Sequence, residues 1–469
     1  MIYGYPDHPT VPAGGRLTLR VSTDAPEFRV ELHRWGDGIP LHARSSWYDG
    51  HRLPAHPPYQ DWGRPGAGLH GEELPGWPAY PFTIPRDWPS GVYLATLIEG
   101  DGRGRDLVRA DGHGPDARHA RALFVVRGDR IGASILYKLP LLTYHAYNQV
   151  TPRRYDPTTG RGGWCLYTLP EPGDVPAPVP RSVSWRRPGG GVGGTPWDLD
   201  NFDPYDPTPR QTFAHWDAPF ISWLERTGHR VDYCTDLDVH DAGGPDLLRR
   251  YRLLLSVGHD EYWSDAMRAH VEGFVRAGGN VAFFGGNTCW WRVEFDDDAT
   301  FRRVAFWSDL GAPENTLTGV SFRNGGERDR DTHPVPVGYR AQHTDHWVYE
   351  GTGLRDGDSF GDLPDEYLVG YECDGAHFDR GRLARGWAAR PTGADGTPDS
   401  FTILGVGDLA ASGWGRGNRA ATMGLYTANG TVFTAATTDW ARLLRDGRSP
   451  AVDRITHNVL DRLAGPLPG

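Results

Sequence analysis

The run Leu253-Leu254-Leu255-Ser256-Val257-Gly258-His259-Asp260-Glu261-Tyr262-Trp263-Ser264 sets three ionisable side chains between an apolar stretch and a residue able to start a helix. Buried carboxylates are costly unless paired or metal-bound, so a stable fold has no need of such a cluster. Two readings are open: a site that uses the charges, or a capping turn in which Asp260 and Glu261 only neutralise the positive end of the helix. A second run ends in the same way, at Phe283-Phe284-Gly285-Gly286-Asn287-Thr288-Cys289-Trp290-Trp291. Its glycines admit close approach by a backbone or a ligand, and Asn287 can both donate and accept hydrogen bonds. A plain Gly-rich turn with Asn in the left-handed region is the alternative. The third run, Leu141-Leu142-Thr143-Tyr144-His145-Ala146-Tyr147-Asn148, offers phenols, as does Tyr167 in Trp164-Cys165-Leu166-Tyr167. Aromatic residues at such places pack more often than they react, yet a buried hydroxyl must still find a partner.

These runs need elements to hold them. After Ile131, strands alternate with helices, the pattern of a parallel sheet covered on both faces, in which ligands bind beyond the carboxyl ends of the strands. Strands are expected over Ile131 to Leu139, Arg230 to Cys234, Arg252 to Val257, Asn280 to Phe284, Phe401 to Val406 and Thr431 to Ala435. Helices are expected over Phe213 to Thr227, from the cap Ser264 to Gly278, and over Ala451 to Leu463. From Met1 to about Arg127 the apolar residues alternate in short runs bounded by Gly, Pro or Asp, which predicts an immunoglobulin-like β-sandwich. The expected organisation is a sandwich over residues 1–128, a hinge at Gly128-Asp129, and a flavodoxin-like α/β domain over 129–469 carrying the site. Gln149 to Arg210 and Asp296 to Arg390 break the alternation and are expected to be long loop insertions.

Composition narrows the function further. The 469 residues carry 49 basic and 60 acidic side chains, a net charge of −11 with no basic tract, which argues against nucleic acid. No run approaches the roughly 18 apolar residues of a membrane span, and the start has no signal-peptide pattern, so a cytoplasmic protein is expected. Cys165, Cys234, Cys289 and Cys373 lack zinc-like or disulfide-framework spacing. Lys138 is the only lysine, which reads as coding bias.

Taken together, Tyr147-Asn148, Gly258-His259-Asp260-Glu261-Tyr262-Trp263-Ser264, Gly285-Gly286-Asn287-Thr288 and Asp345-His346-Trp347-Val348-Tyr349-Glu350-Gly351-Thr352 resemble the large (β) subunit of N,N-dimethylformamidase over roughly Ile131 to Leu463. The resemblance implies a C-terminal domain with a class I glutamine amidotransferase-like fold, and one ferric ion per chain held by two tyrosinates and a glutamate. Position by position it implies Tyr147 and Glu261 as ligands, with Tyr167 as the second tyrosine and Tyr144 as its alternative. His259 becomes the neighbouring acid or base and Asn287 the substrate-orienting amide. It further implies hydrolysis of the C–N bond of a small amide, with a small partner subunit that this chain does not encode; a homo-oligomer is also open. The chemistry is coherent: two phenolates and one carboxylate balance a hard trivalent cation, and three protein ligands leave positions for water and a carbonyl oxygen. Trp263, Trp290 and Trp291 are candidates for excluding water.

Other chemistries fit less well. The turn where amidotransferases place a nucleophilic cysteine holds His259-Asp260-Glu261 instead, and Cys289 has no histidine nearby in sequence. His343, His346 and Glu350 form a second candidate metal cluster, and Asp198 to Asp206 an acidic loop open to calcium but without EF-hand spacing. The non-catalytic alternative is a carbohydrate- or small-molecule-binding protein with a degenerate amidotransferase-like domain.

Overall fold

In a computed structural model the described residues are 2–51, 77–107, 119–128, 132–148, 166, 182–187, 213–296, 298–327, 337–364, 367–369, 371–409, 419–445 and 447–465. The N-terminal part is all β. One sheet joins Ile2–Pro6, Arg16–Thr23 and Ala79–Thr83; the other joins Thr10–Pro12, His119–Arg127, Gly91–Gly100, Glu27–Arg34 and Leu41–Arg44. Strict alternation gives the larger sheet two buried faces. Tyr93, Ala95, Leu97, Phe124 and Val126 fill the sandwich core, while Val92, Leu94, Leu123 and Val125 join the core of the α/β part. Hydrogen bonds cross the same junction, from Thr10 Oγ1 to Asp238 (2.9 Å), Trp35 Nε1 to the Ala218 carbonyl (3.1 Å) and the Tyr233 amide to Ser90 Oγ (2.8 Å). Asp129 and Ile131, expected at the hinge and the first strand, lie outside the described residues.

The C-terminal part is built on a nine-stranded mixed sheet. Its strands are β1 (Ile135–Leu139), β2 (Val231–Thr235), β3 (Leu253–His259), β4 (Asn280–Gly286), β5 (Tyr339–Ala341), β6 (Ser359–Phe360), β7 (Thr402–Asp408), β8 (Ala420–Thr427) and β9 (Thr431–Thr434), in the spatial order β2-β1-β3-β4-β9-β8-β7-β5-β6. The first five in that order are parallel and the rest antiparallel. The parallel strands are apolar on both faces because both are covered: Leu253, Leu255 and Val257 of β3 enter one core, Leu254 the other.

Four helices matter for the site: α1 (Leu141–Ala146), α2 (Asp217–Arg226), α3 (Asp265–Arg276) and α4 (Pro450–Ala464). The third forms as its sequence requires. Ser264 Oγ accepts the Met267 amide at 3.2 Å, Met267, Val271, Phe274 and Val275 are buried, and Gly278 ends it at φ 95°.

The stretch Asp296 to Arg390 is more ordered than its weak periodicity suggested. It supplies β5, β6 and the strands Thr300–Phe306, Ser321–Glu327 and Glu372–Gly375, so it is not simply a loop insertion. Antiparallel pairing lets short strands of mixed polarity form where a sequence window shows little period. Within Gln149 to Arg210, the described Ser182–Ser184 pairs with Thr300–Phe306. Among the described residues no helix is long and apolar enough to cross a membrane.

The end of β4 is a point of close backbone packing. A methyl at Gly285 would stand 2.4 Å from the Gly258 carbonyl oxygen, and one at Gly286 would stand 2.6 Å from the Glu372 carbonyl oxygen and 2.9 Å from the Thr438 amide. The glycines thus admit neighbouring backbone. Gly286→Ala is therefore expected to lower unfolding free energy by about 1–3 kcal/mol in urea titration; an unchanged midpoint would contradict this packing.

Candidate active site

Three chain reversals at the carboxyl ends of β1, β3 and β4 meet at one point. After β1, helix α1 ends at Tyr147, whose hydroxyl donates to Glu261 Oε2 at 2.8 Å. From the same helix Thr143 Oγ1 accepts the Glu261 amide at 2.9 Å, tying the first reversal to the second. At the end of β3, Gly258 takes φ 72°, with Trp216 packed where a β-carbon would be, and the chain then presents His259, Asp260 and Glu261. Alternation sends Asp260 away from its neighbours. Its carboxylate receives Ser256 Oγ at 2.6 Å and Trp263 Nε1 at 3.0 Å, and lies 2.7 Å from Lys138 Nζ. His259 and Glu261 turn to the other side, with Nε2 and Oε2 3.4 Å apart.

After β4, Asn287 sits at φ 47°. Asp374 holds it there by accepting the amides of Asn287 (2.9 Å) and Thr288 (3.2 Å). Asn287 Nδ2 lies 3.4 Å from Glu372 Oε2, and that same oxygen lies 2.8 Å from His259 Nε2. Glu372 is thus the link between Asn287 and His259. All five residues, Tyr147, His259, Glu261, Asn287 and Glu372, are buried. Burial and the nearby Glu372 push the Glu261 carboxyl up to about 7, against His259 and the Tyr147 hydrogen bond, which favour its charged form. The rings of Tyr147 (5.5 Å between centroids), Trp216 (5.5 Å) and Tyr371 (6.5 Å) surround His259.

Of the residues singled out in the sequence, Tyr147, His259 and Glu261 converge, and Asn287 reaches them through Glu372. Tyr167 lies outside the described residues, although the Leu166 amide donates to the Ala146 carbonyl at 2.9 Å, one residue from Tyr147. Tyr144 does not join them: its hydroxyl donates to buried Asp217, which also accepts Tyr137 at 2.7 Å and whose carboxyl burial pushes up to about 8. Trp263 is taken up by Asp260 and stands over Lys138 (4.8 Å), while Trp290 and Trp291 pack on Phe306, so the walls at His259 are Trp216 and Tyr371 instead. Cys289 is buried, and burial raises its thiol well out of the nucleophilic range. His346 caps the short turn Trp347–Tyr349, and no group of three or more His, Cys, Asp or Glu side chains able to hold a metal occurs among the described residues. Asp198 to Asp206 lies outside them.

Sequence reasoning missed Glu372, Asp374, Thr143, Trp216 and the part played by Lys138. A signal existed for the first two: Tyr371-Glu372-Cys373-Asp374 alternates acidic with apolar residues, so a strand there aims both carboxylates to one side. Lys138, set down to coding bias, is fully buried beneath the site on Asp260.

The donor set suits a hard cation. The Tyr147 phenol and the Glu261 carboxylate lie side by side, 2.8 Å apart, and both are hard oxygen donors of the kind such a cation would take. Two carboxylates, Glu261 and Glu372, also face one histidine.

Strand order and site geometry together place a buried polar cluster at the carboxyl ends of the parallel strands of a mixed sheet. The chain belongs to the family described as N,N-dimethylformamidase beta subunit-like, C-terminal, whose sequence pattern matches residues 42–454. The match starts inside the sandwich, so it reaches further toward the N-terminus than Ile131. The N,N-dimethylformamidase beta subunit of an Alcaligenes species is 33% identical over 117 residues, 24% of this chain and 14% of its own length. That of Paracoccus aminophilus is 33% identical over 116 residues, 24% of this chain and 13% of its own. The aligned part of the chain therefore spans about a seventh of these relatives. A ThuA-like protein of known structure from Parabacteroides merdae aligns with 52% of this chain and 85% of its own at 13% identity and a TM-score of 0.25, an overlap too slight to inform fold or function.

Removing one member of the Lys138–Asp260 pair leaves a buried charge without its opposite in contact. Lys138→Met and Asp260→Asn should each cost about 3–5 kcal/mol of stability, and the double variant clearly less than the sum, by denaturant unfolding of all four proteins. Additive losses would mean that the pair does not act as a unit.

Proposed function

We propose that this chain is a hydrolase of C–N bonds in small amides, of the dimethylformamidase type, with one ferric ion held by Tyr147, Glu261 and a further tyrosine for which Tyr167 is the candidate. The convergence of Tyr147, His259, Glu261, Asn287 and Glu372 at the ends of adjacent parallel strands carries this reading. The order β2-β1-β3-β4-β9 of the parallel strands supports a flavodoxin-like core of the amidotransferase kind. When bound, the ferric ion supplies Lewis acidity toward the carbonyl and activates water at neutral pH.

The chain's own residues supply the rest. The reaction consumes one water: its oxygen becomes a carboxylate oxygen, the C–N bond breaks, and both water protons end on the departing amine. His259, paired to Glu372 through Nε2, is the group that carries a proton toward the departing nitrogen, and Glu372 keeps the imidazole oriented and basic. Asn287, pinned by Glu372 and Asp374, orients the amide. Trp216, Tyr371 and Tyr147 line the histidine with rings and limit water around it. Both relatives are named as beta subunits, and a small partner subunit belongs to the same reading. A saccharide-binding module is disfavoured, since buried ionic groups rather than exposed aromatic faces meet at the sheet's end.

Protein purified with iron is expected to show tyrosinate-to-iron absorption and to hydrolyse small formamides. Tyr147→Phe should lose bound iron and colour together. His259→Ala should keep its iron, by elemental analysis, while kcat/KM falls about 10²–10⁴-fold. Equal turnover by colourless, iron-free protein would remove the ferric ion from the proposal, and no hydrolysis by iron-loaded protein would remove the activity.

A further inference from the structure

A cavity of about 550 Å³ opens where the sandwich meets the α/β part, at the amino ends of β1 and β2 and so at the opposite ends of the strands from His259 and Glu261. The charges that line it are unequally spent. Glu225 is held by the Arg34 guanidinium and accepts the Asp37 amide at 3.1 Å, while Asp232 accepts the Gly132 amide at 2.8 Å and the Tyr251 hydroxyl at 3.2 Å. Both carboxylates thus have their donors. Arg86 comes to the same cavity from the sandwich and Arg230 from the start of β2, and neither forms an ion pair among the described residues. Tyr233 also lines it at 3% exposure; its amide donates to Ser90, but its hydroxyl has no hydrogen-bond partner among the described residues. Burial keeps that phenol protonated, so it stands as a donor. Like charges brought to one cavity repel, and a buried donor without an acceptor is rare in folded proteins. An anion answers both.

We propose that this cavity is a second ligand site, which binds a small organic anion carrying carboxylate or phosphate groups. Arg86 and Arg230 meet its charge from the two sides of the junction, and the Tyr233 hydroxyl donates to one of its oxygens. Trp88, partly exposed and stacked on Tyr93 with ring centroids 5.0 Å apart, gives the ligand's apolar body a flat wall. The volume suits such a molecule, since small-molecule sites usually enclose roughly 300–1,000 Å³. Because its groups come from both parts of the chain, the bound anion also pins the sandwich to the α/β part and stabilises the whole by mass action. The site stands apart from the hydrolase reading, whose residues lie at the other ends of the strands.

The test is isothermal titration calorimetry of the full chain with succinate, inorganic phosphate and, as a neutral counterpart, succinamide. At least one of the two anions is expected to bind at one site per chain, with succinamide at least about tenfold weaker, and the tighter anion tells carboxylate from phosphate recognition. Arg86→Gln combined with Arg230→Gln should weaken that anion about tenfold or more, and Tyr233→Phe about threefold or more, while His259→Ala binds it as the wild type does. No saturable binding of either anion up to about 10 mM, equal binding of succinamide, or an affinity unchanged in the double arginine variant overturns the proposal. So does binding that is lost in His259→Ala and kept in the double variant, which puts the anion at the other ends of the strands. Should the double variant not fold by circular dichroism, Arg86→Gln alone, at an exposed side chain, takes its place: at least about threefold weaker binding supports the site, and unchanged binding overturns it.

Discussion

Negative charge buried at the end of a parallel sheet is the constraint around which this molecule is arranged. Asp260, Glu261 and Glu372 are all withdrawn from water, where an uncompensated carboxylate costs several kcal/mol. Each is therefore met by something: Asp260 by the ammonium of Lys138, a serine and an indole; Glu261 by a phenol and an imidazole; Glu372 by the same imidazole and an amide. The compensation differs on the two sides of the sheet. Below, Lys138 pairs with Asp260; above, the donors are a phenol, an imidazole and an amide, and Glu261 is pushed toward its protonated form.

The reversal at the end of β3 creates that division. His259 and Glu261 face one side, and Asp260 faces the other. The left-handed Gly258 lets the chain turn at that point, and the glycines of β4 let the neighbouring reversal approach within backbone contact. The sandwich belongs to this framework, for its larger sheet shares an apolar layer with β1 and β3, and hydrogen bonds pin it beside α2 and β2.

Much of this was legible without coordinates. The alternating runs before Arg127 predicted β-structure, and the capped, striped helix after Ser264 formed within a residue or two of its expected limits, since local chemistry decides both. The three reversals were legible as well, because strand-to-turn boundaries leave marks in glycine and polar residues. In the antiparallel half of the large sheet β7 was legible, but β5, β6 and β8 were not, for their compositions are ones that only pairing makes extended. Tyr144 and Tyr147 looked interchangeable in sequence, yet one faces Asp217 and the other Glu261, a difference set by helical direction in a single short helix.

By itself, then, the sequence determined the identities and spacings that make a site possible: His259 and Glu261 two apart, Asn287 after a glycine pair, a phenol after the first strand. Tertiary structure alone decided which distant group completes it. Glu372 lies more than a hundred residues from His259 along the chain and becomes its partner only because an antiparallel strand from a weakly patterned region is laid against the end of β4. Lys138 likewise gains its meaning from the neighbouring strand. Local preferences are short-ranged and can be read along a chain, whereas charge compensation acts through space and depends on which strands the fold sets side by side.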